Sequence, residues 1–240
     1  NFKSNFPNTP LVMSSIDSLL DLLENTPEGP FFNPWYQTDS NHELSEAGAE
    51  IRRSQLKTYL QERQSSGKYL FIAEALGYQG GHFTGIAMTS ERILLGHHKS
   101  VHGIPAEGVF ESREPKRTSK PSVNEKGMSE PTATIMWKAI YQLGLDPYET
   151  VLWNALPWHP YDPDDGLLSN RTPTDNELKT GYPALRAFLE LFLDGKLIAV
   201  GRKSEQSLDA FGISDYTPVR HPAHGGAPKF RRQMKALIKN

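Results

Sequence analysis

The fold class predicted for this chain is α/β: a three-layer α/β/α sandwich around a central, mostly parallel four-stranded sheet. Two observations predict it. Four short apolar runs, at 68–73, 150–156, 196–200 and 216–219, have the length and continuity of strands buried on both faces. Between them lie stretches of helical periodicity at 131–143, 174–193 and 205–211, the alternation that joins parallel strands through crossover helices. A third observation sets the scale: 240 residues, 37% hydrophobic and 22% charged, suffice for one substantial core.

Taken in order, residues 14–25 carry Ile16, Leu19, Leu20, Leu22 and Leu23 at helical spacing and stop at Thr26-Pro27. The turn-rich connector 29–41 holds Phe31, Phe32, Trp35 and Tyr36, a satellite packing cluster. Ser45 is the expected N-cap of a helix running to about Gln64. The segment 97–130, rich in Lys, Glu, Pro and Ser, is the one long loop, either a mobile insertion near a site or an inert excursion. The whole of 1–240 reads as a single domain, with residues 1 to about 66 a helical extension packed on it.

The chain has no cysteine, which removes disulfides, thiolate zinc sites, iron–sulfur clusters and a Cys nucleophile together. It contains no apolar run of the roughly 18 residues that a membrane span needs, and no charged start followed by an apolar stretch. These features predict a cytoplasmic protein with no membrane partner. Net charge is −2, but it is polarised. Residues 1–50 set one Lys against eight acids, whereas no acid follows Asp215 and Arg220, Lys229, Arg231, Arg232, Lys235 and Lys239 do. Such a chain can turn a positive face to a phosphate polymer, or the cations of 229–239 can simply solvate a terminal helix.

Ligands of open α/β sheets bind beyond the carboxyl ends of the strands. The first run leads into Glu74-Ala75-Leu76-Gly77-Tyr78, the second contains Asn154 and leads towards Asn170-Arg171-Thr172, and the fourth into Arg220-His221-Pro222-Ala223-His224-Gly225-Gly226. A carboxylate, a carboxamide and an imidazole therefore leave three strands at one edge. Each has a plain alternative: Glu74 paired with Arg171 or Arg220, Asn154 tying its strand to a loop, and His221 capping a proline turn. His97, His98 and His102 have metal-like spacing without a fixed acidic partner, so no metal is expected. Tyr161-Asp162-Pro163-Asp164-Asp165-Gly166 lacks the closing Glu of a calcium loop and reads as a solvated turn.

Glu74-Ala75-Leu76-Gly77 resembles the first motif of the uracil-DNA glycosylase superfamily, in the form found in its iron–sulfur family. Asn154 with Asn170-Arg171-Thr172-Pro173-Thr174 is similar to that family's second block, and His221-Pro222-Ala223 to its closing His-Pro-Ser motif. The likeness covers roughly residues 68 to 230 and departs from the family at Ala73, at Leu76, in the absent cluster cysteines, and at Met88, where the family has an aromatic base-stacking residue. The resemblance implies a monofunctional, metal-free and cofactor-free DNA glycosylase of base-excision repair. Its substrate would be DNA containing uracil or another deaminated base, and it would act as a monomer.

By that resemblance Glu74 and His221 are catalytic: Glu74 orients or deprotonates water, and His221 donates to the carbonyl oxygen where charge accumulates. Ala75, Gly77, Tyr78, Met88 and Asn154 would hold the flipped base, with Phe83 a possible substitute for the missing aromatic. Arg171, His224, Gly225, Gly226, Lys229 and Arg231 would meet the DNA. Two other readings stand beside it. One is a relative that binds nucleic acid or a free nucleobase without cleaving, suggested by Ala73, Leu76 and Met88. The other is an unrelated hydrolase of small nucleosides.

Overall fold

The computed structural model describes residues 14–237. The chain opens with helix α1 (Ile16–Glu24), strand β1 (Phe31–Phe32), helix α2 (Gly48–Gln61) and strand β2 (Tyr69–Ala75). Short helices α3 (Gly81–Thr84), α4 (Glu91–Leu94) and α5 (Lys99–His102) precede helix α6 (Pro131–Gln142) and strands β3 (Thr150–Leu156) and β4 (His159–Pro160). Helices α7 (Asp175–Thr180) and α8 (Tyr182–Leu191), strand β5 (Lys196–Val200), helix α9 (Arg202–Ala210), strand β6 (Thr217–Val219) and helix α10 (Ala227–Leu237) complete it.

The main sheet has the order β3-β2-β5-β6, and its three neighbouring pairs are all parallel. The connection from β2 to β3 runs one way along the sheet and those reaching β5 and β6 run the other. Right-handed crossovers therefore put α6 on one face and α7, α8 and α9 on the opposite face, an α/β/α sandwich. The reversal also creates a crevice beyond the carboxyl ends of β2 and β5, where such folds bind ligands.

All seven residues of β3 are buried, as a parallel strand covered on both faces requires. Trp153 stacks on Phe188 of α8 at 4.7 Å, and α1 packs against α8 and α2, so the N-terminal helix joins the same core. The long loop is pinned. Arg63 donates to the carbonyls of Gly108 and Val109, and the Glu91 carboxylate accepts from the N–H groups of Thr118, Ser119 and Met128. Neither a mobile insertion nor an inert excursion describes it, because it delivers Glu130 to the crevice.

Three helix boundaries differ from expectation. Ser45 is not an N-cap: residues 45–48 form a turn, with Gly48 N–H donating to Ser45 O at 3.2 Å, and α2 starts after Ala47. The single helix expected over 174–193 breaks into α7 and α8 at Gly181, where a Cβ would collide with the carbonyl of Ala155 on β3. The helix expected from residue 205 begins three residues earlier, at Arg202. Lys239, expected in the terminal helix, lies outside the described residues.

Candidate active site

The strand ends open on a cavity of about 890 Å³, within the range of ligand clefts. Glu74, Ala75, Gly77, Met88, Asn154, Arg171, His221 and His224 line it, so the acid, the amide and the imidazole share one hollow.

Asn154 lies beside Ala73 in the β2–β3 register and is 2% exposed. Its Oδ1 is buried without a hydrogen-bond partner. An asparagine tying a strand to its loop would have both ends of its amide paired; an orphaned carbonyl costs about 1–3 kcal/mol and marks a group left free for a ligand.

His221 follows β6 and is partly buried. Burial, then the neighbouring Arg220 and His224, push its pKa down to about 4, so the ring is neutral at physiological pH. Ala223 N–H donates to its Nδ1 at 3.1 Å. That bond makes Nδ1 the acceptor and leaves the ring proton on Nε2, so the neutral ring is fixed as a hydrogen-bond donor through its far nitrogen. Glu74, at the end of β2, has its pKa raised by burial, with Lys203 opposing. Among the described residues it forms no ion pair with Arg171 or Arg220, so neither expected pairing is found.

The remaining expected site residues divide. Met88 is buried in the cavity wall with φ 47°, a left-handed backbone that is rare for a side chain of its size. Tyr78 sits beside the cavity, its N–H donating to Asn170 Oδ1 at 3.1 Å and so tying the loop after β2 to the loop before α7. Phe83 does not line the cavity. The one-turn helix α3 turns its ring inward, fully buried, against His82 at 4.4 Å.

Arg171 lines the cavity, but both terminal nitrogens are bound to Glu177 at 2.8 Å and its plane lies over Phe31. It is a strut between loop and helix rather than a free grip for phosphate. Gly225, Lys229 and Arg231 are exposed outside the cavity, whereas Gly226 is buried beneath the His221 loop. The terminal helix turns Phe230, Met234 and Leu237 inward and Lys229, Arg231, Arg232 and Lys235 to solvent.

The aromatic connector also has a purpose. Phe32 stacks on His82 at 4.1 Å, His82 meets His159 at 3.1 Å, and His159 meets Ser169 O at 2.7 Å. This buried chain braces the loop that carries Asn170. Among the described residues no group of His, Asp and Glu side chains has the arrangement to hold a metal, and no helix is long and apolar enough to cross a membrane.

One lining residue was invisible to sequence reasoning. Glu130 stands just before Pro131, where an acid reads as an ordinary helix cap. It is the N-cap residue of α6, yet its side chain makes no capping bond and lies in the cavity wall instead.

Residues 66–238 match the uracil DNA glycosylase superfamily. The fold is similar to the crystal structure of wild-type SMUG2 from Pedobacter heparinus, at 12% identity over 95% of this chain and 97% of that one, with a TM-score of 0.54. No curated protein matches the sequence.

Proposed function

Because the chain belongs to the uracil DNA glycosylase superfamily, we propose that it is a monofunctional DNA glycosylase that hydrolyses the N-glycosidic bond of uracil, or a related deaminated base, in DNA. The observation that carries this reading is the sharing of one cavity by Glu74, Asn154 and His221, with the Asn154 carbonyl oxygen buried and unpaired.

A base inside a duplex is unreachable, so it is flipped out and read in the pocket. The Asn154 amide offers an acceptor for the ring N–H of uracil and a donor for its neighbouring carbonyl. Cytosine presents a bare ring nitrogen and an amino group there and is refused. As the bond from the base to the sugar C1′ breaks, its electron pair goes to the base, and the Nε2–H of His221 stabilises the charge that collects on a carbonyl oxygen. Glu74 in its carboxylate form faces the cationic sugar and orients the water that attacks C1′, accepting a proton as the C–O bond forms.

Incubation with uracil-containing single- and double-stranded oligonucleotides should release free uracil and leave an alkali-labile abasic site. Salt-dependent DNA binding by folded protein with no abasic product would favour a non-cleaving relative instead.

The exposed face of α10 supplies a phosphate grip beside the cavity, with His224 and Gly225 at the tip of the adjoining loop. His224, at φ 50°, holds a strained backbone on an exposed turn. Arg231→Ala combined with Arg232→Ala should weaken binding equally for all sequences. It should flatten the plot of log K against log salt by about 0.9 for each lost phosphate contact, as measured by fluorescence anisotropy between low and physiological salt.

A further inference from the structure

Glu130 is half-buried in the wall of the same cavity, and its Oε2 is withdrawn from solvent without a hydrogen-bond partner. It reaches across to the loop after β2, where a Cβ at Gly80 would collide with Oε2 and one at Gly77 would stand 4.0 Å away. Glycine at 80 therefore leaves the space that this side chain fills. The contact is between elements distant in sequence and serves no capping, ion-pairing or backbone-binding purpose. The residue borders the ligand cavity while one of its carboxyl oxygens stays buried and unpaired, and a buried polar group without a partner calls for an explanation.

We propose that Glu130, in its protonated form, is a second hydrogen-bond donor of the base pocket, acting on an exocyclic carbonyl oxygen of the departing base. This deepens, and rests on, the glycosylase reading above. A base leaving as an anion spreads its charge over its carbonyl oxygens, so a donor to one of them strengthens as the bond breaks. An ionised carboxylate at that place repels the same anion.

The surroundings favour the proton. Burial alone raises Glu130 to about 7, with no charged neighbour contributing. The loop after β2 offers only Tyr78, and the end of the strand itself Glu74. The Glu91 carboxylate is bound by backbone N–H groups, Arg171 by Glu177 and Lys203 by Asp175. Arg202, Arg220, His221 and His224 line other parts of the wall, and Lys138 is the one charged side chain on α6.

The test is the single-turnover excision of uracil from a single-stranded oligonucleotide between pH 5.5 and 9, together with calorimetric titration of free uracil at pH 6 and 8.5. Wild-type rate should decline above about pH 7. Glu130→Gln keeps a donor that cannot ionise, though a weaker one. It should lower the rate at pH 6 several-fold and abolish the alkaline decline, whereas Glu130→Ala should lower the rate roughly 10–100-fold at pH 6. An unchanged alkaline decline in Glu130→Gln, beside active wild type, overturns the role of Glu130 alone. Uracil binding that weakens at pH 8.5 in wild type but not in Glu130→Gln, with no excision, upholds the donor and overturns cleavage. Absence of both excision and uracil binding overturns both.

Discussion

Replacing His221 with alanine is expected to lower single-turnover excision of uracil by about 10²–10³-fold, the usual cost of removing one preorganised donor to developing negative charge. The donor is preorganised because the backbone N–H of Ala223 occupies Nδ1, which commits the proton to Nε2 before any substrate arrives. Burial, with help from Arg220 and His224, holds the ring's pKa at about 4, so it works as a neutral imidazole. Two consequences separate this from a histidine acting as a cation. In Glu130→Gln, which lacks the alkaline decline of that carboxyl, the rate is insensitive to pH between 6 and 8, whereas an imidazolium would still lose activity as pH rose through its pKa.

The folded protein also binds fewer protons at this site than the unfolded chain between about pH 4 and 6.5. The site therefore costs stability as pH falls through that window, and His221→Ala relieves that cost. Melting curves at pH 5 and 7.5 should show the variant gaining on wild type at the lower pH. A rate within threefold of wild type would remove His221 from the chemistry.

The sheet was legible because parallel strands buried on both faces must be written as unbroken apolar runs. The misjudged end of β2 has the same cause. Glu74 interrupts the apolar pattern, yet pairing continues to Ala75 opposite Leu156. The three polar site residues were legible because each leaves a strand at the edge where such sheets bind ligands.

What escaped was decided by partners distant in sequence or by backbone turns. Phe83 is aromatic and stands close to the first motif, but α3 rotates it into the interior. Arg171 had its partner within sight, since Glu177 both completes the capping box with Thr174 and clasps the guanidinium. Glu130 had no such local sign. Only the tertiary meeting of α6 with the glycine loop distinguishes it from a surface cap.

Asn154→Ala is expected to do two things that an asparagine with a structural task would not do together. It should weaken uracil capture by roughly 5–150-fold, since a bidentate amide-to-base pairing is typically worth about 1–3 kcal/mol. It should also leave the melting temperature unchanged or raise it. Oδ1 is buried and unpaired, so wild type already bears the desolvation cost of that oxygen, and alanine removes the cost without breaking a hydrogen bond. The opposing loss of van der Waals contact is moderated because the buried side chain also lines the cavity, so part of its surroundings is already unfilled. Calorimetric titration with free uracil and thermal unfolding of the same two proteins decide the matter. A lowered melting temperature with intact uracil affinity would mean that the amide braces β3 and that the pocket reads its base elsewhere. Lost affinity at undiminished stability is the signature of a residue retained for its ligand at the expense of the fold, and it is the outcome that an orphaned oxygen in this wall requires.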